Sequence, residues 1–79
     1  MNKAEETYYK IEFAVTYGEK LPESISKRTY NKVVEMLKEA NERNNHLLLH
    51  KMGYDENEHK RMSDLYSKMA ELLDCIKIK

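Results

Sequence analysis

Counting outward from Gly53, apolar residues on the two sides of the chain fall opposite one another, and this match constrains the fold more than any other feature. Upstream, Tyr30, Val33, Val34, Leu37 and Ala40 recur at helical spacing, with Ser24 or Ser26 placed to cap the first turn. Downstream, Asp55 is placed to cap a second helix with the stripe Met62, Leu65, Tyr66, Met69, Leu72, Leu73 and Ile76. Folding the chain back at Gly53 sets Met62 near Asn44, Leu65 and Tyr66 near Ala40, Met69 near Leu37, Leu72 near Val34 and Ile76 near Tyr30. The expectation is a long antiparallel helical hairpin, 24–52 and 55–76, packed well where Tyr30 meets Ile76 and thinly near the turn. Asn41, Asn44 and Asn45 lower the helical propensity of the first arm, so a break near Asn44 stays open. Leu47, Leu48 and Met52 keep the phase beyond it.

Residues 1–18 admit two readings. Tyr9, Ile11, Phe13, Val15 and Tyr17 alternate strictly with Lys10, Glu12, Ala14 and Thr16, and period two in strand-favouring side chains predicts a strand. As a helix, the same segment sets Tyr9, Phe13 and Tyr17 opposite Ile11 and Val15. Against the strand stand a capping pair, Asn2 and Glu5, a helix stop at Gly18, and a stripe of Ala4, Tyr8, Ile11 and Val15. The favoured class is therefore α+β and mostly helical: an N-terminal strand, the hairpin, and a short C-terminal strand in 75–79 that could pair with the first. The alternative is an all-α three-helix bundle. Gly18 and Pro22 mark the boundary between this segment and the long helix.

At 79 residues the chain holds material for one domain, 1–79. A core this small supplies about 3–5 kcal/mol, which makes a homodimer a natural reinforcement. Fourteen basic and fourteen acidic residues cancel, so no long-range field draws phosphate backbones or anionic lipid, and nucleic acid is not the expected partner. No apolar run approaches the ~18 residues of a membrane helix, and Met1 to Thr7 is too polar for an export signal. With a lone Cys75 and no internal disulfide, the expected compartment is the cytoplasm.

The chemistry-bearing residues are few. His46 and His50, four apart, share a helix face at a spacing that suits a metal ion, but His59 falls at a different edge, so no metal centre and no cofactor are expected. Cys75 ends an apolar stripe and is expected to be buried filler. No nucleophile stands beside a base and no glycine-rich phosphate loop exists, so an enzyme is not expected. What remains is surface for partners. Three successive leucines, 47 to 49, leave Leu49 outside the stripe, Tyr54 sits at the turn, and Tyr9, Phe13 and Tyr17 line the N-terminal segment. These five are the candidate partner-binding residues.

The expected function is a small non-enzymatic regulator, an inhibitor or adaptor that binds another protein. Its Lys-, Asn-, Glu-, Tyr- and Ile-rich composition suits an AT-rich genome such as that of a phage or mobile element. Two alternatives stand beside it. A strand followed by two helices resembles, in element order alone, the ribbon-helix-helix repressors, which implies a DNA-binding dimer whose outward strand residues would include Glu12, facing phosphate unfavourably. The other is a structural module that assembles with copies of itself.

Overall fold

The computed structural model describes residues 2–50 and 53–79, and these are mostly helical. In chain order they form α1 (Lys3–Tyr17), β1 (Ser24–Ile25), α2 (Lys27–His50), α3 (Glu56–Cys75) and β2 (Lys77–Ile78). The last expected residues of the first long helix, Lys51 and Met52, lie outside the described residues.

The N-terminal strand expected on period-two grounds is a helix. Asn2 starts it: its side-chain oxygen accepts from the Glu5 backbone N–H at 2.9 Å, while its side-chain nitrogen donates to the Glu5 carboxylate at 3.0 Å. Glu5 and Glu6 then place negative charge in the first turn, where the helix dipole favours it. Gly18 ends the helix in the left-handed region at φ 72°, donating its N–H to the Ala14 carbonyl. A lone strand would have left a row of backbone donors and acceptors unpaired, whereas the helix satisfies them internally. Ala4, Thr7 and Ile11 are buried, and Tyr8 and Val15 pack half-buried beside them.

Ser26, one of the two expected caps, accepts from the Thr29 N–H at 3.1 Å and opens α2. The helix runs unbroken through Asn44, burying Thr29, Val33, Leu37, Ala40 and Asn44 along one stripe. Val34, expected on that stripe, is 41% exposed. Asp55 caps α3, accepting from the Asn57 N–H at 2.9 Å. Three bonds tie the helices: the Tyr30 hydroxyl donates to Asp74 at 2.7 Å, the Asn44 amide donates to the His59 carbonyl at 3.0 Å, and the His59 ring bonds the Asn45 side-chain oxygen at 2.7 Å.

The C-terminal strand forms, but its partner is β1 rather than the N-terminal segment. The two pair in parallel, Ser24 with Lys77 and Ile25 with Ile78, and the Lys79 N–H extends the ladder to the Ile25 carbonyl at 3.0 Å. Ser24 and Ile25 are free to pair because α2 begins only at Lys27. Ile25 and Ile76 thereby close one end of a core whose fully buried side chains are Ile11, Val33, Met69 and Leu73. All three helices contribute to it. The expected N-terminal strand of the strand-helix-helix order is the helix α1, and the two-residue strand β1 stands directly before α2 and α3.

Candidate functional site

Tyr9, Phe13 and Tyr17 stand four residues apart on α1 and so form a row along one helix face, opposite the buried Ile11. Their exposures, 43%, 43% and 73%, leave the row open to solvent along its length. The Phe13 and Tyr17 rings lie 5.9 Å apart, and Tyr9 meets Tyr8 edge to face at 5.7 Å. Beside the row, Glu6, Tyr9, Lys10 and Phe13 enclose a shallow, almost wholly apolar depression. Lys10 and Glu6 form an ion pair across its rim at 3.4 Å.

The other two candidates are placed differently. Leu49 is 76% exposed on the last turn of α2, yet it does not line that depression. Tyr54 is half-buried, and its hydroxyl donates to the Asn44 side-chain oxygen, so part of this residue is used inside the fold. Asn44 is the residue sequence reasoning undervalued. At 3% exposure it bonds both the Tyr54 hydroxyl and the His59 carbonyl, while the His59 ring pairs with Asn45 at 2.7 Å. The signal was available: of three asparagines in that stretch, Asn44 alone continues the row Val33, Leu37, Ala40.

The His46 and His50 rings lie 4.4 Å apart and both residues are exposed, while the His59 ring bonds Asn45. Among the described residues, no group of three or more His, Cys, Asp or Glu is arranged to hold a metal ion. Cys75, expected to be buried, is an exposed free thiol, because the last turn of α3 turns Leu73 and Ile76 inward instead. Burial, reinforced by the neighbouring Tyr66 and Glu12, pushes the Tyr8 phenol up to about 12. Burial likewise raises Tyr66, and the hydrogen bond to Asp74 raises Tyr30. These phenols stay neutral: the Tyr30 hydroxyl donates to Asp74, and Tyr8 and Tyr66 pack against the core. No buried side-chain polar atom among the described residues lacks a hydrogen-bond partner, so none is left aimed at an absent ligand.

Comparison with known protein families, with curated proteins and with solved structures finds no match to this chain. No helix of the described residues is long and apolar enough to cross a membrane.

Proposed function

We propose that this chain is a small non-enzymatic regulator, an inhibitor or adaptor working in the cytoplasm, and that it binds another protein through the outer face of α1. The observation that supports this reading is the open row of Tyr9, Phe13 and Tyr17 on the side of α1 that faces away from the core. Aromatic side chains offer large contact area at small entropic cost, and they are enriched where proteins meet. A contiguous apolar patch rimmed by charge, here Glu6 and Lys10, is the pattern that marks an interaction surface. In this reading α2 and α3 are an antiparallel helical hairpin that holds α1 rigid, so that little ordering entropy is lost on binding. Leu49 is a secondary contact.

A photo-cross-linking amino acid placed at Phe13, at Leu49 and, as a control, at the exposed Lys38 tests the assignment in cells that express the chain. Protein adducts at position 13 exceeding those at 38 are expected, and Tyr9→Asp should abolish them while circular dichroism shows the fold intact. Equal or absent adducts at 13 and 38 would remove α1 as the binding surface.

A further inference from the structure

α1 carries apolar side chains on two opposite faces, and the chain itself covers only one. Ala4, Thr7 and Ile11 are buried, while Tyr9, Phe13 and Tyr17 remain outside. The depression on the uncovered side says what shape fits there. Its four lining residues, Glu6, Tyr9, Lys10 and Phe13, stand at i, i+3, i+4 and i+7, which is the spacing of the four residues that receive one side-chain knob from a facing helix. In a two-fold pair of parallel helices, the knob that enters such a ring is the residue at the ring's own second or third position, Tyr9 or Lys10 of the other copy, and of these Tyr9 has the apolar body to bury.

The edges of the aromatic row point to the same occupant. On a helical projection Glu5 and Glu12 lie along one edge, and Lys3 and Lys10 along the other. Parallel two-fold pairing sets the Glu edge of each copy beside the Lys edge of the other and brings Glu5 opposite Lys10, whereas antiparallel pairing sets like edges together. The balanced charge of the chain leaves no net repulsion between copies.

We infer that the outer face of α1 pairs with the same face of a second copy of this chain, the helices parallel and Tyr9 of each seated in the ring of the other. This rests on reading that face as a protein-binding surface and names its partner.

Sedimentation equilibrium of the whole chain over a concentration series is the test. The mass should climb from 9.4 kDa toward twice that value, and Phe13→Glu should hold it at the monomer with helicity unchanged. Lys10→Glu alone and Glu5→Lys alone should each weaken pairing by about tenfold, and the double variant should recover most of that loss. Glu5 also caps α1, so helicity is measured for every variant. In a Cys75→Ser background, Tyr9→Cys and Phe13→Cys should each oxidise to a disulfide-linked dimer, which parallel pairing permits at both positions. A wild-type mass that stays monomeric up to about 1 mM overturns self-pairing while leaving α1 as a docking face for a different protein. Dimers indifferent to Phe13→Glu place the interface elsewhere and overturn it too. Cross-linking at only one of the two cysteine positions overturns the parallel arrangement.

Discussion

The two ends of the α2–α3 pair are held by different physics. At one end Ile25, Val33, Leu73 and Ile76 join α1's Ile11 in an apolar cluster, and β1 and β2 close over it. At the other end, near Gly53, hydrogen bonds do the joining: the buried Asn44 bonds the His59 carbonyl on α3 and the Tyr54 hydroxyl in the connection, and the exposed Asn45 bonds the His59 ring. Apolar packing is non-directional and spread over many atoms, so the first end loses stability in proportion to the volume removed. Directional bonds to one side chain fail together, because removing Asn44 strips partners from two groups at once. The contrast suggests that the first end sets the stability of the fold and the second fixes the register of the two helices.

The largest effect should come from the apolar end. Leu73→Ala should cost about 2–5 kcal/mol, the range for a fully buried leucine, read as a lower urea midpoint with an unchanged slope. Next is Asn44→Ala, expected to cost about 1–3 kcal/mol. Its signature is local: amide exchange should accelerate in the first turns of α3 while the amides around Leu73 keep their relative protection. Combined, the two substitutions should add to within about 0.5 kcal/mol, since the sites share no partner. Strong coupling between them would show that the two ends are one cooperative unit and break the comparison.

Much of this arrangement was legible in the sequence. Asn2 with Glu5, Ser26, Asp55 and Gly18 were recognisable as helix signals because capping depends on one or two side chains at fixed offsets. The N-terminal segment misled because alternation is ambiguous when two helical rows interleave. Ile11 and Val15 form one row on α1, Tyr9, Phe13 and Tyr17 another, and their union has period two. A spacing of four is common to a strand face and a helix face, so the three aromatic residues share a side in either reading, and only their separation from Ile11 and Val15 needed the structure. Asn44 was read as a propensity cost. Its burial reverses the sign, since a satisfied amide at a helix contact is held by bonds that propensity scales do not see. The pairing of β2 with β1 was hidden because Ser24 and Ile25 had been absorbed into the start of α2.

A smaller effect separates α1 from the pair it packs on. Gly18 holds φ 72° with open space where a side chain would go, so Gly18→Ala should cost about 1 kcal/mol from backbone strain alone. The loss should be seen as faster exchange in the last turn of α1, with the Asn44 end untouched. A cost well above this would mean that α1's C-terminus is coupled to the core more tightly than the packing of Val15 implies.

A further effect lies at alkaline pH, and it concerns where α1 rests on the pair. Tyr8 has its phenol pushed up to about 12 from an ordinary 10, first by burial and then by its acidic and phenolic neighbours. The folded state therefore holds the phenol proton more tightly than the unfolded chain. Below pH 10 both states are protonated and the full stability is present. Above it the unfolded state releases the proton first, so stability falls between about pH 10 and pH 12. Tyr66 and Tyr30 are raised as well and add to the same decline. Tyr8→Phe should flatten part of it, in urea midpoints measured from pH 9 to pH 12, leaving the remainder that Tyr66 and Tyr30 carry. A decline as steep in the variant as in the parent would assign the alkaline loss to those two tyrosines, both on the α2–α3 pair, and would detach Tyr8 from it.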